Sequence, residues 1–201
     1  NFCVSKLQEQ KVPAVFFCCS IMTNAIRIID FFYAPDDPAR EILLQHSFAV
    51  QQKALQLLEI STLNCRIDRE TVSIGALLHD IGIRFCNAPD IGCFGETPYI
   101  AHGIIGAEML RSYGKNNHLD LEKFARICER HTGSGLTAAE IRERSMPLPE
   151  KDLLPETVEE KLITLADKFF SKSGSNVEKP LDKVRSSIAK FGSAPLARLD
   201  N

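Results

Sequence analysis

The sequence predicts an all-α protein built as one compact helical bundle. No stretch shows the sustained apolar/polar alternation of a half-buried strand, and apolar residues recur at helical spacing through nearly everything after Met22. The 201 residues, 44% of them hydrophobic, are enough for one sizeable core. We therefore expect a single domain over residues 22–201 and an N-terminal extension over residues 1–21.

The first two predicted helices are separated by a break that contains Pro35 and Pro38. A short helix is expected over residues 23–32, and a longer one over about residues 39–58. The longer helix has an apolar face that includes His46, so this imidazole should point into the core.

The third predicted helix begins after Asp68, a good N-cap residue, and stops at Gly82. Its apolar face ends in His79, which should also point inward. Asp80 lies about 100° further round the helix. His79 and Asp80 can therefore share a cation only near the end of this helix.

Two further helices are expected, each carrying one inward histidine. Thr97–Pro98 resembles a cap followed by a first-turn proline, and it would open a helix that bears His102. Gly106 leaves room beside that histidine. Asp120 is placed to cap the next helix, which should end at His131.

The remaining helices begin at two predicted capping boxes, Thr137 with Glu140 and Thr157 with Glu160. The second box opens a helix with Asp167 on its apolar face, where a carboxylate needs a cation or a hydrogen-bond donor. A final amphipathic helix is expected to turn four residues inward: Leu181, Val184, Ile188 and Phe191.

Composition excludes several classes of partner. The net charge of −2 provides no general basic field for a long nucleic acid. The apolar run over residues 12–22 is too short to span a membrane, and Glu9 makes it a poor signal peptide. Seven cysteines without a Cys-x-x-Cys pair argue against a disulfide framework or a zinc ribbon. We therefore expect a cytoplasmic protein. The sequence makes no prediction of the oligomeric state, because no helix has an obvious additional apolar stripe.

Four of the five histidines lie on apolar faces or at ends of different predicted helices, whereas His118 lies in a polar loop. A single inward histidine is more often a hydrogen-bonded core residue than a metal ligand. Together with an inward aspartate, the set is explained most economically by a shared cation. The residues of this set are His46, His79, His102, His131 and Asp167.

These residues carry a family resemblance. The order His46, His79-Asp80, Asp167 resembles the HD superfamily of metal-dependent phosphohydrolases, and the sequence ALLHDIG over residues 76–82 looks like its HDIG subgroup. The resemblance covers about residues 41–170. Three intervening segments resemble small stand-alone HD proteins: residues 100–103, 129–133 and 165–168.

The resemblance implies two neighbouring metal sites. His46, His79, Asp80 and Asp167 would bind a first cation, and His102 with His131 would bind a second one, with Asp80 bridging both. Such mixed nitrogen and oxygen ligands suit manganese, iron, cobalt, nickel or zinc better than magnesium. One or two divalent transition metal ions are therefore the expected cofactor.

The implied reaction is hydrolysis of a phosphate ester or anhydride in a small nucleotide, dinucleotide or related metabolite. A bound cation lowers the pKa of water enough to supply a hydroxide nucleophile, and it polarises a phosphoryl oxygen. Besides the bridging Asp80, Arg84 and Lys168 flank the ligands in sequence and are candidates for catalytic contacts to phosphate. Many HDIG proteins have lysine where this chain has Ile83, so Arg84 stands one position late.

Two other functions are compatible with the same ligand set. One is a metal-binding regulatory module without significant turnover. The other is a di-iron enzyme that activates oxygen, although the sequence shows no clear carboxylate-rich substrate clamp.

Overall fold

The computed structural model describes residues 24–60, 67–173 and 176–201, and it confirms the all-α class. The predicted extension over residues 1–21 and the predicted start of the first helix at Thr23 lie outside these residues. Helix α1 comprises residues 24–32 of the described chain. The other helices are α2 (Pro38–Ile60), α3 (Arg69–Leu78), α4 (His102–Asn117), α5 (Glu122–Arg130), α6 (Ala138–Glu143), α7 (Val158–Lys168), α8 (Leu181–Ala189) and α9 (Ser193–Asp200).

Helix α3 lies at the centre of the bundle. Every residue from Thr71 to Leu78 is buried, because α2, α5 and α7 all pack against this short helix. Helix α4 packs along α5 and covers the turn that follows α3. The end of α3, where His79 and Asp80 lie, is therefore enclosed by four neighbouring helices.

The N-caps at the start of α3, α6 and α7 are those predicted from the sequence. Asp68 accepts hydrogen bonds from the backbone N–H groups of Glu70 and Thr71. Thr137 and Thr157 each form a complete capping box with the glutamate three residues later. Local side-chain hydrogen bonds thus determine where these helices begin.

A small sheet lies between α3 and α4, and the sequence did not predict it. Strand β1 (Cys86–Ala88) is central; β2 (Cys93–Phe94) runs antiparallel to it and β3 (Thr97–Pro98) runs parallel to it. Strands of two or three residues are too short to show a period of two. Short 3-10 turns at Ile83–Phe85, Pro89–Ile91 and Tyr99–Ala101 connect the strands to the helices.

Three local predictions were wrong. Leu121, and not Asp120, is the N-cap of α5, although the Asp120 carboxylate accepts from the backbone N–H of Glu122. Thr97–Pro98 does not open α4: it pairs with β1, and α4 begins at His102 after a 3-10 turn. In the final amphipathic segment only Val184 and Ile188 are buried, whereas Leu181 and Phe191 are 52% and 57% exposed. Helix α8 lies at the surface beside α9, so only a narrow stripe of it is covered.

Candidate metal centre

The six predicted ligands come together in the core, although they come from distant parts of the chain. Four of them lie at or just beyond a helix end, where the chain changes direction and a side chain can reach the bundle centre. His79 is the C-cap of α3, followed by Asp80, and His131 is the C-cap of α5. His102 is the first residue of α4, while His46 lies within α2 and Asp167 near the end of α7.

Four of these side chains form a first cluster, whose possible ligand atoms all lie within 4.8 Å of one another. The Nε2 atom of His46 is 2.9 Å from Oδ1 of Asp167 and 3.2 Å from Oδ2 of Asp80. The Nε2 atom of His79 is 2.8 Å from the same Oδ2 atom of Asp80. Two imidazoles and two carboxylates thus face one point.

The other oxygen of Asp80 faces a second cluster. Its Oδ1 atom lies 3.2 Å from Nε2 of His102 and 3.3 Å from Nε2 of His131, and these two nitrogens are 3.0 Å apart. Asp80 therefore presents one oxygen to each cluster. This is the arrangement of a carboxylate that bridges two cations.

Three of the imidazoles are held in a fixed orientation by the backbone. The Nδ1 atoms of His79, His102 and His131 lie 2.7, 2.6 and 2.7 Å from the carbonyl oxygens of Ala76, Tyr99 and Cys128, respectively. A carbonyl only accepts hydrogen bonds, so each Nδ1 must carry the proton. Each Nε2 is therefore directed into the cluster, and it can bind a metal once it carries no proton.

The buried polar atoms fit bound cations. Within the described part of the chain, both Asp80 oxygens and Nε2 of His79 are buried without a hydrogen bond of normal geometry. Buried polar atoms are rarely left unsatisfied. A divalent cation in each cluster would satisfy them.

The electrostatics of the site keep its carboxylates ionised. Burial opposes ionisation of Asp80, but His79 and Lys172 outweigh burial and hold the pKa of this carboxyl well below its ordinary value. Burial lowers the pKa of His131 to about 4, so this ring is neutral at physiological pH. Both forms are those that bind metals.

A cleft of about 440 Å³ opens beside the first cluster. His46 and Asp167 lie in its wall, together with Asp90 and Tyr99 from the segment between α3 and α4. The cleft is also lined by the end of α7 and the chain beyond it, including the lysines Lys168, Lys172 and Lys179. The cleft thus connects the metal ligands to the surface.

Lys172 joins the site although the sequence did not predict it, and its Nζ lies 2.5 Å from Oδ2 of Asp80. It lies beyond the end of α7, in a segment without helical periodicity, so only the folded chain brings it to the site. A lysine five residues after the ligand Asp167 was the one available clue in the sequence.

The two other predicted catalytic residues have different surroundings. Lys168 lies in the wall of the cleft, where it pairs with Asp167 and donates to the carbonyl of His131. Arg84 lies in a separate cavity, where it contacts the carbonyl of Phe32 and lies 3.5 Å from Asp37. The structure brings Lys168 to the site and does not bring Arg84 there; the catalytic roles of both stay predictions.

The helical fold and its paired histidine and aspartate clusters define a metal-binding helical domain. The HD domain family matches residues 43–171, a range that includes all six candidate ligands. The chain therefore belongs to the HD domain family, whose members are mostly metal-dependent hydrolases. Within the described residues, none of the helices has both the length and the apolar character that crossing a membrane requires.

Three relatives match this chain over most of its length, but the matched region makes up different shares of their own lengths. An uncharacterized protein of Methanocaldococcus jannaschii is 36% identical over 152 residues, which are 75% of this chain and 79% of that protein. A tRNA (cytidine(56)-2'-O)-methyltransferase of Picrophilus torridus is 36% identical over 146 residues, 72% of this chain but only 36% of its own length. The enzyme of the same name from Thermoplasma volcanium is 29% identical, over 66% of this chain and 33% of its own length. The chain spans about a third of these two enzymes; no solved structure matches it.

Proposed function

We propose that this protein is a metal-dependent phosphohydrolase that cleaves a phosphate ester or anhydride in a small nucleotide, dinucleotide or related metabolite. The observation that supports this function best is the position of Asp80 between two clusters of metal-ligand type. A buried carboxylate with one oxygen in each cluster fits a pair of cations, and cation pairs are common in enzymes that transfer phosphoryl groups to water.

The side chains of the site have distinct tasks in this proposal. The backbone carbonyls behind His79, His102 and His131 accept from each Nδ1–H and so direct each Nε2 at the cluster. Cations bound there would lower the pKa of water and polarise a phosphoryl oxygen. Lys168 and Lys172 line the cleft and place positive charge where a phosphate would bind.

Metal content and phosphate release test this function together. Purified protein is loaded with manganese, iron, cobalt or nickel, its metal content is measured, and nucleotides and dinucleotides are assayed for phosphate release. We expect two ions per chain in the wild type and one in His131→Ala. Asp80→Ala should abolish release, while His118→Ala, an exposed histidine outside the site, should leave it unchanged. Release that persists in Asp80→Ala would contradict the proposed role of the bridging carboxylate.

The second candidate is a metal-binding regulatory module. The two methyltransferase relatives favour it, because in them the matched region makes up about a third of a protein named for a different reaction. Stoichiometric metal without turnover of any substrate in the panel would support this alternative. Oxygen consumption by the iron-loaded protein would instead support the third possibility, a di-iron enzyme.

We also propose that the protein is cytoplasmic and that it binds neither long nucleic acids nor membranes. The support is the composition: the net charge is −2 and the described cysteines Cys86, Cys93 and Cys128 are free thiols. Fractionation of cells that express the full protein would test the location.

A further inference from the structure

The cleft beside the metal centre has an excess of positive charge on one wall. Lys168 ends α7, and Lys172 and Lys179 follow on the chain that leads to α8. Two carboxylates, those of Asp90 and the candidate metal ligand Asp167, line the described cleft. Asp80 belongs to the same candidate metal cluster as Asp167. Since Asp80 and Asp167 belong to the metal clusters, bound cations would engage their charge.

Lys179 is held in place without a carboxylate partner among the residues that the structure describes. Its Nζ donates to the backbone carbonyls of Phe170, at 2.8 Å, and Lys168, at 3.3 Å. It forms no ion pair within residues 24–60, 67–173 and 176–201. An ammonium has three donors, so one donor of Lys179 remains for a ligand in the cleft.

The surroundings of Lys179 oppose its positive charge. Partial burial and the nearby ammonium groups of Lys168 and Lys172 lower its pKa, against the opposite effect of Asp167. Lys168 and Lys172 are paired with Asp167 and Asp80, respectively, whereas Lys179 has no carboxylate partner among the described residues. An anionic ligand in the cleft would therefore stabilise the charge of Lys179 in particular.

Lys172 lies against the carboxylate that both clusters share. Its Nζ lies 2.5 Å from Oδ2 of Asp80 and 5.9 Å from the centre of the Tyr99 ring, which in turn stacks on His102. Lys172 and Lys179 line the same cleft as the candidate ligand Asp167, so a phosphate bound there can contact both lysines. The cavity volume of about 440 Å³ is within the range of pockets for small ligands.

We propose that Lys172 and Lys179 bind the non-bridging oxygens of the substrate phosphate and make the site selective for phosphate monoesters over diesters. This inference rests on the proposed phosphohydrolase function and names its substrate class. A monoester phosphate carries close to two negative charges near neutral pH, whereas a diester carries one. The dianion can accept from both lysines and also contact the metal side of the cleft, so it gains more from two ammonium groups than a diester does.

Binding of inorganic phosphate tests the lysines without requiring turnover. Titration calorimetry of the metal-loaded protein should show binding weakened about tenfold in Lys179→Met and in Lys172→Met, the loss expected for a charge-assisted hydrogen bond. Lys179→Arg, which keeps the charge, should recover part of the affinity. Lys183→Met, an exposed lysine on α8, is the matched control and should bind like the wild type. Circular dichroism and metal content establish that each variant is folded and loaded.

Turnover provides the second readout. The wild type should hydrolyse p-nitrophenyl phosphate in preference to bis-p-nitrophenyl phosphate, and Lys179→Met should lose most of this preference through a higher KM for the monoester. Unchanged phosphate affinity in both folded lysine variants would overturn the inference while leaving the proposed hydrolysis intact. Phosphate binding that depends on the lysines in a protein without any turnover would support the inference and count against the proposed hydrolysis.

Discussion

Substitution of Gly82 by alanine should damage both the fold and the metal centre. Gly82 follows the ligand Asp80 by two residues, and α4 lies directly over it. A Cβ atom at Gly82 would lie 2.2 Å from the carbonyl oxygen of His102 and 2.5 Å from the backbone nitrogen of Gly106. Its φ of −83° suits any residue, so the damage would come from the close approach of α4 and not from backbone strain.

The size of the effect follows from these distances. Ordinary contacts of a Cβ atom begin at 3.4 Å, so the first turn of α4 would have to move by about 1 Å. Both obstacles are backbone atoms in the core, and overpacking of this kind destabilises by about 3 kcal/mol. Coordination distances tolerate deviations of only about 0.2 Å, so a shifted His102 would no longer serve the second cation.

The assay combines unfolding with metal analysis. Because the chain has no tryptophan, urea unfolding is best followed by circular dichroism. We expect Gly82→Ala to lose about 3 kcal/mol in the free energy of unfolding and one metal ion per chain. Gly106→Ala is the matched control on the opposite side of the contact. Its Cβ would meet its nearest atoms at 3.2 and 3.3 Å, and alanine favours a helix by about 1 kcal/mol over glycine, so a small net change is expected.

A Gly82→Ala protein within about 0.5 kcal/mol of the wild type, the range of an ordinary surface substitution, would refute this reasoning. Equal losses in both glycine variants would also refute it, since the two added methyl groups meet very different obstacles.

Three further outcomes follow from the same structure. Burial favours the neutral ring of His79, but the neighbouring carboxylates outweigh burial and raise the pKa of His79 to about 9. Because a metal must displace this proton, metal binding measured by calorimetry should weaken by about tenfold per pH unit as the pH falls below that value. A metal affinity that is constant from neutral pH upwards would contradict this prediction. Burial opposes ionisation of Asp68, but the hydrogen bonds from Thr71 dominate and lower the pKa of this cap. Asp68→Ala should cost about 1 kcal/mol at neutral pH, and the difference from the wild type should shrink as acid protonates the wild-type carboxylate; a pH-independent difference would show that the charge is irrelevant. Glu160 is buried against two arginines, so Glu160→Ala should lower the free energy of unfolding by about 3 kcal/mol. The control Glu143→Ala, at an exposed position, should change the free energy of unfolding little. Similar melting curves for the two variants would argue against a structural role of Glu160.

Local chemistry explains why much of the fold could be predicted. The N-caps at Asp68, Thr137 and Thr157 depend on residues within one helical turn, so the sequence states them directly. The same holds for the inward direction of His46, which follows from the helical period of α2. The strand at Thr97–Pro98 was missed because its residues pair with β1 residues eleven positions earlier, and this pairing leaves no periodic trace.

Helical periodicity predicted the candidate ligands only as one set, without dividing them into two clusters. Four histidines and an aspartate on different apolar faces implied one shared centre, and the family resemblance divided them into two groups. The distances around Asp80 fit the bridging position that the resemblance implied: Oδ2 faces His46 and His79, and Oδ1 faces His102 and His131.

The sequence by itself predicted the class of fold and the starts of several helices, because helical periodicity and capping are local properties of the chain. The family resemblance predicted the six candidate ligands that the structure brings together. The tertiary structure alone decided which charged residues join those ligands. Arg84 is adjacent in sequence but is held in another cavity by Phe32 and Asp37, whereas Lys172 and Lys179 reach the cleft from an irregular segment. The physical reason is that a side chain outside a regular helix has no direction fixed by periodicity, so only packing of the whole chain determines what it contacts.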